Sequence, residues 1–64
     1  MNWVLRSNVR RGWYFAGTKL DSQGQPYESC TPNLSDAVHY ATEADATAAR
    51  AAMQYPDQYI VTEL

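Results

Sequence analysis

Sixty-four residues with one cysteine and a formal net charge of −2 leave room for a single domain, 1–64, and for no internal disulfide. A chain this short buries only about 60% of its unfolded surface, and its acidic balance argues against non-specific coating of nucleic acid. No apolar run approaches the roughly 20 residues of a transmembrane helix, and in MNWVLRSNVRRGW the basic residues follow the short apolar stretch, the reverse of a signal peptide. The expectation is a cytoplasmic protein with no membrane partner.

Residues 2–7, NWVLRS, read as a first strand, with Trp3 and Val4 favouring extended backbone. Residues 8–12, NVRRG, form a loop in which Gly12 supplies the positive φ that closes the connection. Residues 13–19, WYFAGTK, read as a second strand. Successive side chains alternate sides, so Trp13 and Phe15 point one way and Tyr14 and Ala16 the other. Gly17 marks a bulge or a close approach of a helix.

Residues 20–33 are rich in turn formers, with turn chemistry at Gln23-Gly24-Gln25-Pro26 and material for a further short strand at 27–31. Residues 34–39 suit one helical turn capped by Ser35, with Leu34 and Val38 sharing a face; residues 38–41 suit extended chain equally.

The strongest local signal is 40–56, YATEADATAARAAMQYP, read as one helix. Thr42 is the predicted N-cap, accepting from Asp45 N–H. Glu43 and Asp45 favour the positive end of the helix dipole, and Pro56 stops the helix. Ala44, Ala48, Ala51, Ala52 and Tyr55 make the predicted apolar stripe, with Thr47, Arg50 and Gln54 away from it. Residues 58–64, QYIVTEL, read as the last strand.

Strand, strand, helix, strand predicts an α+β fold: a two-layer sandwich in which one amphipathic helix covers one face of an antiparallel sheet of about three strands. The strands carry apolar groups on both sides, Trp3 and Leu5 against Val4, Trp13 and Phe15 against Tyr14, Tyr59 and Val61 against Ile60. Either the 20–33 segment folds over the second face with Tyr27 as a plug, or that face or an edge strand meets a partner or a second copy.

Catalytic chemistry finds little footing. Cys30, Asp36 and His39 are triad residue types, but no nucleophile signature surrounds them. One histidine and one cysteine do not complete a tetrahedral metal site. Gly12, Gly17 and Gly24 lack phosphate-loop spacing. The expectation is a non-enzymatic protein without catalytic, metal or cofactor residues.

Charge is distributed more tellingly than its sum. Arg6, Arg10, Arg11 and Lys19 lie in the first third. Asp36, Glu43, Asp45, Asp57 and Glu63 lie in the second half, opposed only by Arg50. A basic hairpin tip presented to an acidic partner makes Arg6, Arg10, Arg11, Tyr14 and Lys19 the predicted partner-binding residues. The same residues, interleaved with Trp3, Trp13 and Phe15, also suit single-stranded nucleic acid. A small oligomerising structural protein, such as a homodimer, is a third reading.

The order of motifs resembles the small accessory proteins of bacteriophages and prophages. Trp3-Val4-Leu5 opens the chain, Gly12-Trp13-Tyr14-Phe15 and Leu34-Ser35-Asp36-Ala37 follow, then Tyr40-Ala41-Thr42-Glu43-Ala44-Asp45-Ala46 and Ile60-Val61-Thr62. The resemblance is one of pattern and implies a stoichiometric inhibitor, anti-CRISPR-like, that binds a bacterial host enzyme or nucleoprotein complex. It implies no particular site residues.

Overall fold

The computed structural model describes residues 2–64. Along the chain come β1 (Trp3–Ser7), β2 (Tyr14–Leu20), β3 (Pro26–Thr31), α1 (Glu43–Ala51) and β4 (Tyr59–Glu63), with 3-10 turns at Leu34–Asp36 and Pro56–Gln58. The strands form one antiparallel sheet in the order β3-β2-β1-β4. The fold is therefore α+β, but the expected sheet of about three strands is corrected to four and the order to βββαβ.

The extra strand is β3, and its cause is the turn before it. The Asp21 carboxylate accepts from the N–H groups of Gln23 and Gln25, each at 2.9 Å, and Gly24 takes φ +78. That Asx-type turn reverses the chain and lays 26–31 along β2 as an edge strand. Pro26 is tolerated there because it opens the strand. Tyr27 is 45% exposed and extends the sheet rather than plugging its second face.

The sheet is two ribbons with a narrow join. β2 pairs with β3 from Tyr14↔Thr31 to Leu20↔Pro26, and β1 pairs with β4 from Trp3↔Glu63 to Ser7↔Tyr59. β1 meets β2 around the single pair Arg6↔Tyr14, where Ser7 N–H donates to the Trp13 carbonyl at 2.9 Å. Beyond that point β2 bulges between Phe15 and Gly17 and diverges.

The gap is filled by 38–40. Val38 N–H donates to the Phe15 carbonyl at 3.0 Å, and Trp3 and Tyr40 exchange two backbone bonds at 2.8 Å. Gly17, at φ +109, would bring a Cβ to 3.9 Å from Val38 Cγ2, so its close neighbour is this extended segment and not the helix. The turn before it runs Leu34–Asp36 with Asn33 in the capping position and no side-chain cap, which corrects Ser35 as cap.

Alternation along β1 sends Leu5 to one side and Val4 to the other, and both are fully buried. Leu5, Phe15, Ala46 and Tyr59 form the core, with Trp3, Cys30, Val38, Tyr40, Ala49, Met53 and Val61 packed on it. Phe15 and Tyr59 meet edge to face, centroids 5.7 Å apart at 76°, the arrangement ring quadrupoles favour.

Thr42 caps α1 as expected, its Oγ1 accepting from Asp45 N–H at 3.1 Å. The helix is shorter than 40–56, and its last turn tightens where Met53 N–H bonds the Arg50 carbonyl at 3.1 Å. Its buried face is also rotated from the expected one. α1 packs against β1 and β4 through buried Ala46 and half-buried Ala49, Arg50 and Met53, while Ala44, Ala48, Ala51, Ala52 and Tyr55 are exposed. Alanine occurs on every side of this helix, so alanine spacing does not select a face. Met53 and Arg50, the long side chains that reach the sheet, do. Arg50 Nε donates to the Tyr59 carbonyl at 2.8 Å.

Candidate partner interface

The loop between β1 and β2 is built from its base upward. Ser7, buried at the end of β1, accepts on Oγ from Val9 N–H (3.3 Å) and Arg10 N–H (3.0 Å). Trp13 N–H closes back on the Arg10 carbonyl at 3.1 Å. Gly12 takes φ +82 as the sequence requires. Asn8 ties the loop to the chain before β4, donating from its backbone to the Gln58 carbonyl (2.9 Å) and from Nδ2 to the Asp57 carbonyl (2.6 Å). These bonds fix the path of the loop backbone.

Below the loop, the register sets a row across three strands. Arg6 on β1 lies opposite Tyr14 on β2 and Ile60 on β4, so the guanidinium rises between an aromatic and an aliphatic neighbour on the sheet face away from Leu5. Arg6, Arg11, Asn8, Gly12, Ser7 and Ile60 line a cleft of about 270 Å³. Arg6 and Arg11 are exposed, and guanidinium N–H donors are of the kind that suits carboxylate or phosphate oxygens. Ile60, 41% exposed, provides an apolar wall.

The five predicted residues divide accordingly. Arg6, Arg11 and Tyr14 come together. Arg10 turns aside, its guanidinium carbon 4.6 Å from the Trp13 ring centroid, a cation–π geometry that fixes both side chains. Lys19 does not join them: it lies opposite Tyr27, roughly 17 Å along β2 from Tyr14 at about 3.3 Å per residue. The sequence reading missed Ile60 and Asn8. Ile60 was visible as the odd one out between Tyr59 and Val61, but only the β1–β4 register sets it beside Arg6.

The triad residue types are scattered. Cys30 Sγ lies 3.3 Å from the Tyr59 hydroxyl, against the core. His39 Nε2 lies 3.0 Å from the Leu34 carbonyl and Nδ1 3.5 Å from Asn2 Nδ2. Asp36 is exposed in the 3-10 turn. Burial pushes the Tyr59 hydroxyl well above the usual tyrosine range, and its bond to Cys30 adds to the shift; burial alone raises Tyr40. Among the described residues no three His, Cys, Asp or Glu side chains gather as a metal site, and no helix is long and apolar enough to cross a membrane.

Compared with known protein families, curated proteins and solved structures, the chain matches none of them significantly.

Proposed function

We propose that the protein is a small non-enzymatic binding module that takes an acidic side chain of a protein partner into the Arg6–Arg11 cleft. The observation that carries this reading is the cleft itself, lined by exposed Arg6 on β1, exposed Arg11 on the loop and Ile60 on β4, with the loop tied to the chain before β4 through Asn8. A planar fork of donors suits a carboxylate, and Tyr14 and Ile60 beside it offer the aromatic and aliphatic contacts that anchor protein interfaces. The partner class implied by the phage-type resemblance is a bacterial enzyme or nucleoprotein complex, bound one to one and thereby inhibited.

The test is capture from nuclease-treated bacterial lysate on immobilised protein, wild type against Arg6→Glu with Arg11→Glu. Both residues are exposed, so the variant folds, which circular dichroism checks. A bacterial protein held by wild type is expected to be lost from the variant, with slower association at low salt. Equal capture by both sinks the cleft as the binding surface. Binding of a labelled single strand by wild type alone, with steep salt dependence, would replace the protein partner with nucleic acid.

A further inference from the structure

Backbone polarity follows from the register of β4. Asn8 N–H bonds the Gln58 carbonyl and Leu64 N–H bonds the Asn2 carbonyl, so the even-numbered residues of β4 turn their N–H and C=O groups toward β1. The odd-numbered ones turn outward. Two observations agree. On β1, Trp3 and Ser7 bond away from β4, to Tyr40 and Trp13. On β4, the outward carbonyl of Tyr59 is the one that Arg50 Nε reaches at 2.8 Å.

The sheet has two edges, and they differ. The β3 edge begins with Pro26 and is followed by Pro32, and the Glu28 carboxylate is held there by Gln54 N–H at 2.6 Å. Prolines and charge are how edges are kept from pairing. On β4, Tyr59 is occupied at both groups, its N–H on the Pro56 carbonyl and its carbonyl under Arg50. Val61 and Glu63 remain as the outward-facing pair of the strand.

We propose that two copies of this chain pair antiparallel through β4, about a two-fold axis at Thr62. In that register Val61 of each copy faces Glu63 of the other, and each pair exchanges two backbone bonds. Shifting the axis to Val61 would require the Tyr59 carbonyl, which Arg50 holds; shifting it to Glu63 would leave Val61 unpaired. Arg50 thus selects the register.

The side chains fit the same axis. Ile60 and Leu64, exposed at 41% and 45%, lie on one face of β4 and cross-pair, Ile60 of one copy on Leu64 of the other. Thr62 meets Thr62 between them, as a close non-hydrogen-bonded pair. On the α1 face, Glu63 of the second copy comes opposite Val61 and diagonal to Tyr59, beside the Arg50 guanidinium, so charge is complementary at both ends. This inference shares Ile60 with the Arg6–Arg11 cleft but needs no ligand there; it rests on the outward backbone groups of β4. The dimer would set the two clefts on the same face of one continuous sheet.

Sedimentation equilibrium from low micromolar to about millimolar protein is expected to show the 7.2 kDa monomer converting to twice that mass, since an interface this small binds weakly. Over the same range, amide exchange should slow at Val61 and Glu63. Glu63→Pro removes an outward donor while leaving the β1 ladder intact, and should weaken association roughly tenfold or more. Ile60→Lys and Leu64→Glu should each weaken it, and the double variant should restore it, because the two positions meet only across this axis. A monomer at every concentration, dimerisation indifferent to Glu63→Pro in a variant that folds by circular dichroism, or a double variant no better than the singles would each overturn the proposal.

Discussion

β1 and β4 lie under α1, whereas β2 and β3 run out past it. The first pair carries Val4, Leu5, Ser7 and Tyr59 as buried residues; the second carries only Phe15, at the end of β2 nearest β1. At the far end Lys19, Leu20 and Tyr27 are exposed, and the molecule measures 37 × 22 × 19 Å. β1 and β4 pair without interruption and β2 and β3 with one bulge, so hydrogen bonding separates the ribbons little. Apolar burial separates them, and burial is the term that gives a small domain most of its stability. The inner ribbon therefore carries most of the buried core, and the outer ribbon is held to it by Phe15, the Arg6↔Tyr14 join, the 38–40 wedge, Cys30 on Tyr59 and Glu28 on Gln54 N–H.

The sharpest way to break this contrast is at the helix. Ala46 is fully buried against Leu5 and Tyr59, so Ala46→Glu buries an unpaired charge and is expected to cost more than about 3 kcal/mol, enough to unfold so small a domain. Ala48→Glu, on the exposed side, should stay within about 0.5 kcal/mol. Thermal melts of the two variants decide which helix face meets the sheet. The same contrast between ribbons is expected for Leu5→Ala, at about 2–5 kcal/mol, against Leu20→Ala, 68% exposed, at about 0.5 kcal/mol or less.

Next in size is the join. Gly17 has φ +109, a backbone state that costs an L-residue on the order of 1–2 kcal/mol. Gly17→Ala should lower stability by about that much and open the Val38 amide, bonded to Phe15, to faster hydrogen exchange. An unchanged Val38 rate would mean the wedge does not depend on the bulge.

The smallest effect is a pH dependence confined to the core. Tyr59 has its hydroxyl raised above the ordinary value of 10.0 by burial and by Cys30. A raised folded-state value means the neutral phenol is favoured in the fold. Its contribution is fully present below pH 10 and is lost as pH rises above it. Denaturant midpoints of wild type should fall above pH 10, and Tyr59→Phe should flatten that fall while costing about 1 kcal/mol for the lost Cys30 bond. An identical alkaline slope in both proteins would separate the effect from Tyr59.

The sequence by itself determined what local chemistry controls. Trp3–Ser7, Tyr14–Leu20 and Tyr59–Glu63 were legible as strands from residue type and alternation, the Thr42 cap from its hydroxyl and spacing, and Gly12 and Gly17 from their backbone freedom. The grouping of Trp3, Leu5, Phe15, Tyr59 and Val61 on one sheet face followed from period two. Tertiary structure decided the rest, because it depended on pairs far apart in the chain. Residue type offered 27–31 only as material for a short strand; the Asp21 turn and the free edge of β2 together made it β3. The helix face was settled by what Met53 and Arg50 can reach, since alanine is nearly uniform around the helix. Arg6, Arg11 and Ile60 became one cleft, and Lys19 was left out of it, only when register set which residues lie opposite one another. Spacing along a chain fixes direction within an element; it does not fix which element lies alongside.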